Sequence, residues 1–405
     1  MKSTGKNPTG KRPTGMLPRR PREKAPRTVV IHDELEVDID SLSNSGDGVA
    51  RTDGRVLFVP RTAPGDRVRV RVVAARKQWM KARLLEVSRP GPDRIEAPCP
   101  VVDECGGCDW QHLEYAAQLR TKHEQLIETL QRIGGLEAPE VQPVIACEPP
   151  WHYRNRVQGE LHEGRLHFHR RITGEPVLIE RCLIADERLN AALAEPLALD
   201  QRERGELSDQ AQRVELALQG DQVVLQAADE GATEIGFRQV NDAMGERLNA
   251  LVVQAVTDSE ADQVIDLYCG AGAWTVRIAL DHPDKRVLGI ELHPGSVLSA
   301  RQAAKRAGAS NLEFRSGRVE KHIASMDLSH SVCIVDPPRA GLDPDVVRRL
   351  RERPAASLVY VSCHPASLAR DLKTLGGRYT VQRIQPLDMF PQTRHLEVCV
   401  TLAMR

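Results

Sequence analysis

Four groups in this chain have types and spacings that could do chemistry together. A thiol, Cys363, ends an apolar strand-like run at 358–361 and is followed by His364-Pro365. A thiol presented at a strand end can serve as a covalent nucleophile; its other reading is an inert buried cysteine. A glycine pair, Gly270 and Gly272, lies in Asp266-Leu-Tyr-Cys-Gly-Ala-Gly272, directly after another apolar run and before a helical pattern. Glycines there permit a tight turn and close approach of backbone to ligand. Glu291 closes Arg286-Val-Leu-Gly-Ile-Glu291, 19 residues past Gly272, where a carboxylate can hold two ribose hydroxyls. Asp336 opens the stiff turn Asp336-Pro-Pro-Arg339.

The glycine turn departs from the full dinucleotide fingerprint because position 275 is Thr, which favours a mononucleoside such as S-adenosylmethionine over NAD. A thiol beside a methyl donor suits one reaction well. Carbon 5 of uracil is a weak nucleophile; a thiolate adding to carbon 6 makes an enolate whose carbon 5 can attack a sulfonium methyl. The adduct then needs a base within hydrogen-bond reach to take the carbon 5 proton. Glu397, in the alternating segment His395-Leu-Glu-Val-Cys-Val-Thr-Leu402, is a candidate; by itself it reads as an exposed strand residue.

These groups need elements to hold them. Across residues 236–405, apolar runs at 264–267, 286–290, 332–335 and 358–361 alternate with helical patterns. That rhythm predicts an α/β, Rossmann-like doubly wound parallel sheet. Tyr268, Glu291, Asp336 and Cys363 all fall at carboxyl ends of its strands, where ligands of such sheets bind. Residues 31–91 hold short alternating runs between turn signals and predict a small OB-like β-barrel. Its segment Val68-Arg-Val-Arg-Val72 puts Arg67, Arg69 and Arg71 on one face, an arrangement suited to phosphates. Residues 92–235 predict a less regular α+β domain with a helix near 112–133. Residues 1–30 are expected to form a disordered basic arm: 1–28 carry four Lys and five Arg against Glu23 alone, a composition that cannot bury a core.

Within the middle segment, Cys99, Cys105 and Cys108 have the spacing C-x5-C-x2-C. Three close thiols want a fourth ligand, and from spacing alone zinc with His112 and an iron–sulfur cluster stand level. Nine cysteines in a chain with no apolar leader segment fit reduced thiols or metal ligands in a cytoplasm better than disulfides. Lys and Arg total 56 against 56 Asp and Glu, so net charge points to no partner and only its distribution does. No run approaches a membrane span.

Taken together, Phe237-Arg-Gln-Val-Asn241, the 266–272 turn, Asp336-Pro-Pro-Arg-Ala-Gly341, Val361-Ser-Cys-His-Pro-Ala-Ser-Leu-Ala-Arg-Asp371 and Asp388-Met-Phe-Pro-Gln-Thr-Arg-His-Leu-Glu397 resemble the RNA uracil-5 methyltransferase family. The amino-terminal barrel resembles the TRAM RNA-binding domain. The resemblance implies Cys363 as nucleophile, Glu397 as proton acceptor, and Gln239, Tyr268, Gly270, Gly272, Glu291 and Asp336 around S-adenosylmethionine. It implies a [4Fe–4S] cluster on Cys99, Cys105, Cys108 and Cys182, and an RNA substrate, 23S rRNA ahead of tRNA, acted on by a cytoplasmic monomer. Phe237 is a candidate ring for stacking a flipped base. Ala273, Ala303 and Arg318 depart from residues common in relatives near the cofactor. A cytosine-5 or adenine amino-methyltransferase, or an RNA-binding assembly factor without catalysis, are the competing readings; Arg339 after Asp-Pro-Pro, where the adenine enzymes carry an aromatic ring, and the intact Cys363, Glu397 and Glu291 weigh against them.

Overall fold

The computed structural model describes residues 29–171, 173–197, 212–227 and 239–405. The basic arm up to residue 28 and Phe237 lie outside the described residues.

The first six strands, β1 (Glu34–Asp38), β2 (Ser41–Leu42), β3 (Gly48–Thr52), β4 (Arg55–Val59), β5 (Arg67–Ala75) and β6 (Trp79–Arg89), form one sheet in the order β1-β5-β6-β4-β3-β2. Period-two alternation sets the inside: Val68, Val70 and Val72 pack with Leu57, Val59 and Met80, all fully buried. Asp53 and Gly54, both at positive φ, close the β3–β4 hairpin in the turn form that matches strand twist.

This barrel corrects one expectation. Arg67, Arg69 and Arg71 are not an open cationic face. Arg67 pairs with Glu36 at 3.2 Å, Arg69 with Glu34 and Glu86 at 3.3 and 3.0 Å, and Arg71 with Glu34 at 2.6 Å. The alternation that placed the arginines outward on β5 also placed carboxylates outward on its neighbours, opposite them. Further round the barrel, the register sets Phe58 opposite Lys81, with Trp79 two residues before Lys81 and Arg83 two after it on the same face; Lys81 and Arg83 are exposed and carry no ion pair among the described residues. Rings interleaved with free cations suit stacking of single-stranded bases along a tracked backbone. Neutralising Lys81 and Arg83 together should therefore flatten the salt dependence of RNA binding by about 0.7 per lost phosphate contact. Neutralising Arg67, Arg69 and Arg71 should change it less; salt titration of RNA affinity compares the two variants.

The middle of the chain contributes α1 (Tyr115–Arg132) and a five-stranded antiparallel sheet with order β11-β10-β7-β8-β9. Its strands are β7 (Arg156–His162), β8 (Arg165–His169), β9 (Pro176–Leu178), β10 (Gln212–Gln219) and β11 (Gln222–Ala227). Helix α2 (Glu187–Ala194), capped by Asp186 accepting from the Arg188 N–H, lays Leu189 and Leu193 on this sheet. Helix α1 goes elsewhere: Leu126 and Leu130 enter the core of the carboxyl-terminal sheet.

That sheet has the order β14-β13-β12-β15-β16-β18-β17. The strands are β12 (Gln263–Leu267), β13 (Arg286–Glu291), β14 (Leu312–Ser316), β15 (Ser331–Val335), β16 (Ser357–Ser362), β17 (Tyr379–Leu387) and β18 (Glu397–Met404). The first five run parallel, and β17 and β18 pair antiparallel beyond them. The helices are α3 (Asp242–Thr257), α4 (Ala273–Asp281), α5 (Pro294–Ala307), α6 (Val319–Ile323), α7 (Pro344–Glu352) and α8 (Pro365–Leu375). Strands buried on both faces explain why they read as continuous apolar runs. Strand order reverses between β12 and β15, and the crevice opens at that switch point.

Candidate active site

The wall of this crevice starts at the turn after β12. Tyr268 has φ of 73°, a left-handed conformation costly for a side chain other than glycine. It is held by N–H bonds from Tyr268 and Cys269 to the Ile290 carbonyl, at 2.9 and 3.0 Å. Glu291 accepts from the Gly270 N–H at 3.0 Å and the His293 N–H at 2.8 Å, so its carboxylate is oriented before any ligand arrives. Gly272, at φ of 77°, caps α4; a Cβ there would lie 2.9 Å from the Phe314 ring. Gly272 thus serves the turn from behind and does not line the cavity. Asp266 beneath it accepts from the Thr275 hydroxyl, and burial pushes its carboxyl up to about 7.

Gln239, Tyr268, Gly270, Glu291, Asp336, Cys363 and Glu397 line one cavity of about 1100 Å³. Arg339, Phe390 and Trp274 line it too, none of them singled out from sequence as a site residue. Of the departures noted above, Ala273 and Arg318 are in this wall and Ala303 is not.

Two carboxyl groups and the thiol of this wall lie near enough to act on one another electrostatically. Burial raises Glu397 well above the usual carboxylate range, and the Asp336 charge raises it further. Burial likewise brings Asp336 up to about 7. The two behave as a pair that resists carrying two negative charges at once. The Cys363 thiol is pushed up to about 11, first by burial and then by Glu397 and Asp336, while the Arg339 guanidinium opposes the rise. The thiol-bearing turn is pinned: the His364 ring accepts from the Ser367 N–H, and the Ser367 hydroxyl donates to the Arg339 carbonyl at 2.8 Å. The helix that follows Cys363 is thereby fastened to the turn that carries Asp336.

Glu397 arrives on β18 after the loop 388–396, which the rest of the chain clamps. Lys122 of α1 and Asp388 form a fully buried pair at 2.6 Å. Gln118 accepts from the Gln392 N–H at 2.9 Å. The Gln392 carbonyl takes the N–H groups of Asp109 and Trp110 at 2.9 and 3.0 Å. Sequence reasoning missed this clamp because its partners are more than 260 residues apart.

The cysteine segment faces a second cavity, of about 500 Å³, lined by Cys99, Cys105, Cys108 and Cys182. All four are free thiols. Among the described residues no three His, Cys, Asp or Glu side chains are gathered into a closed metal site. The surroundings nevertheless suit an anionic group. Burial raises the thiols of Cys105, Cys108 (to about 12) and Cys182, and neighbouring cysteines raise them further. Arg61 Nε and Nη1, Arg154 Nε and Arg171 Nε are buried without a hydrogen-bond partner. Unspent guanidinium donors around four thiols fit a tetrathiolate-held cluster of net negative charge. His112 does not belong to this set. It is absent from the cavity wall, its Nε2 lies 3.2 Å from the Thr62 carbonyl, and burial takes its ring down to about 4. The zinc site with His112 as ligand is therefore set aside.

Comparison with known proteins bears on this arrangement. Residues 206–405 match the family described as tRNA (Uracil-5-)-methyltransferase, and residues 31–85 match the TRAM domain. An uncharacterized RNA methyltransferase of Nostoc sp. is 32% identical, over 91% of this chain and 96% of its own. Another, from Bdellovibrio bacteriovorus, is 32% identical over 94% of this chain and 98% of its own. Among solved structures, the tRNA (uracil-54, C5)-methyltransferase of Pyrococcus abyssi in complex with S-adenosyl-L-homocysteine superposes with a TM-score of 0.68 at 23% identity. It covers 91% of this chain and all of that one.

Proposed function

Since the chain belongs to the RNA uracil-5 methyltransferase family, we propose that it methylates carbon 5 of a uridine in RNA, using S-adenosylmethionine, with Cys363 as nucleophile and Glu397 as base. The observation that carries this reading is the convergence of Glu291, Asp336, Cys363 and Glu397 on one cavity.

Gln239, Tyr268, Gly270, Glu291 and Asp336 would hold S-adenosylmethionine, with Gly272 shaping the turn behind it. When bound, it supplies the methyl group and a positive charge that favours the ionised forms of Asp336 and Glu397. Cys363 forms its S–C bond to uracil carbon 6, and the ring's electron pair moves onto the carbon 4 oxygen. Carbon 5 then takes the methyl, and the electron pair of the broken S–CH3 bond stays on the donor's sulfur, which departs as S-adenosylhomocysteine. Glu397 accepts the carbon 5 proton, the C5–C6 double bond re-forms, and the thiolate leaves. Arg339 supports the thiolate by its charge. Phe390, in the same wall, offers a ring on which a flipped base can rest.

Cys99, Cys105, Cys108 and Cys182 would hold a [4Fe–4S] cluster, with a structural and RNA-positioning role, since methyl transfer moves no net electrons. We take 23S rRNA as the substrate because the resemblance ranks it first; tRNA is the second reading, favoured by the description of the matching family. Among the described residues no helix is long and apolar enough to cross a membrane, and we take the working protein to be a cytoplasmic monomer.

The reading is tested by incubating anaerobically purified protein, methyl-labelled donor and either 23S rRNA or tRNA, then digesting to nucleosides. Labelled 5-methyluridine from 23S rRNA is expected; label only in cytidine or adenosine, or none in any RNA, contradicts the proposal. The same preparation should carry about four irons per chain, the cluster's own stoichiometry. Cys182→Ser should lose them, and stoichiometric zinc without iron would contradict the cluster.

A further inference from the structure

Cys363 has a second open side. It and Arg339 line the large cavity and also a smaller one of about 210 Å³, whose other walls include Asn44 of the barrel, α1, His364 at the start of α8, and Arg394 with His395. The small cavity therefore lies where the barrel, the middle segment and the catalytic sheet meet.

Its chemistry is one-sided. No carboxylate lines it among the described residues. Lys122, in its wall, is already spent on Asp388. Arg394 donates through Nη1 to Asp109 at 2.9 Å, but the other oxygen of Asp109 holds Arg171 at 2.7 Å. One carboxylate shared between two guanidiniums leaves Arg394 only partly neutralised by Asp109. Arg339 lies 3.3 Å from His395 Nδ1. Burial, Arg394 and Arg339 take that imidazole down to about 4, so it is neutral at pH 7 and cancels none of the charge. The cavity thus presents the Arg394 guanidinium, held by Asp109, the exposed Arg339 guanidinium beside His395, and neutral imidazoles. It is too small for a segment of another protein and large enough for a sugar–phosphate unit.

We propose that this smaller cavity seats the phosphodiester next to the methylated uridine, with Arg339 and Arg394 as its contacts. The inference rests on the uracil methylation proposed above. A base reaching Cys363 from the large cavity has its sugar and phosphate on the other side of the thiol, where these two arginines converge. Guanidinium forks match phosphate oxygens in geometry and charge. Arg394 also lines the cysteine cavity, and Asp109, the residue after Cys108, fixes it there. Asp109 is thus a positioning residue, and the cysteine segment holds a substrate contact in place through it.

The experiment uses short RNAs with 5-fluorouridine at the target position. The linkage on either side of it is replaced, one at a time, by an uncharged methylphosphonate. For wild type, one replacement should weaken binding and slow covalent capture by about tenfold or more, the scale of a lost charged hydrogen bond. Arg394→Ala should lose a similar factor on native RNA and then be indifferent to that methylphosphonate, while S-adenosylhomocysteine affinity stays at the wild-type value. Arg394→Lys should recover part of both the affinity and the linkage sensitivity. If wild type captures the RNA and no flanking methylphosphonate slows it, the phosphodiester site is wrong. It is equally wrong if wild type and Arg394→Ala lose the same factor at the same linkage. If wild type captures no native fluorinated RNA at all, the failure lies in the underlying reading of uracil methylation.

Discussion

Replacing Cys363 with alanine should lower methyl transfer by roughly 10⁴-fold or more, the scale seen when a covalent nucleophile is removed, while leaving S-adenosylhomocysteine affinity near wild type. The thiol lines the cavity from the end of β16, whereas Glu291 and the 268–272 turn, to which we assign most of the donor's contacts, belong to other strands. The protonation state sharpens the expectation. A thiol pushed up to about 11 is almost wholly protonated at pH 7. Capture of RNA should thus speed up as pH rises through the alkaline range. Arg339→Ala removes a nearby cation that lowers the thiol, so its alkaline limb should move to higher pH. Single-turnover rates between pH 7 and 10 measure both effects. A pH-independent capture rate, or Cys363→Ala turning over within tenfold of wild type, would remove the thiol from the mechanism.

Glu397→Gln has the second-largest expected effect and a different character. The amide keeps the shape of a residue that is 3% exposed and loses its basicity. Attack and methyl transfer should proceed, and loss of the carbon 5 proton should slow by about 10²- to 10⁴-fold, the usual contribution of a positioned base. The enzyme should therefore pile up as an RNA adduct on ordinary uridine, visible as a denaturation-resistant band. The same substitution should stabilise the fold at neutral pH. A carboxyl whose folded value is raised binds more protons folded than unfolded, so its contribution to stability falls as pH rises above the unfolded value. Glutamine removes that penalty, and the melting temperature of Glu397→Gln should exceed wild type at pH 7.5 and converge with it near pH 4. Release of methylated RNA at the wild-type rate would mean that another group takes the proton.

Local pattern made much of this legible. The parallel sheet could be read from apolar runs alternating with helical periods because both faces of those strands are covered. The rule that ligands bind at strand carboxyl ends then gathers Tyr268, Glu291, Asp336 and Cys363 from the sequence alone, and all four line one cavity. What stayed hidden is long-range. Asp109 reads as an ordinary polar residue after a cysteine, yet it bridges Arg171 and Arg394. The Lys122–Asp388 pair spans two segments that share no sequence signal. The β5 arginines misled for a related reason: alternation shows which way a side chain points, but not what stands opposite on the next strand, and here it is Glu34, Glu36 and Glu86. His112 looked like a ligand by spacing and instead turns to the Thr62 carbonyl in the barrel, a contact set by how two domains pack.

If Cys363 joins to a uracil ring in the course of methyl transfer, the covalent species can be trapped and weighed. The most direct measurement is the intact mass of wild-type protein after incubation with S-adenosylmethionine and RNA carrying 5-fluorouridine at the target position. Fluorine at carbon 5 cannot leave as a proton does, so one stable species is expected, with the mass of protein, RNA and a single added methyl group and with the linkage mapping to Cys363 after digestion. Methylation of ordinary uridine by the same preparation, with no covalent complex formed on the fluorinated RNA, would contradict it.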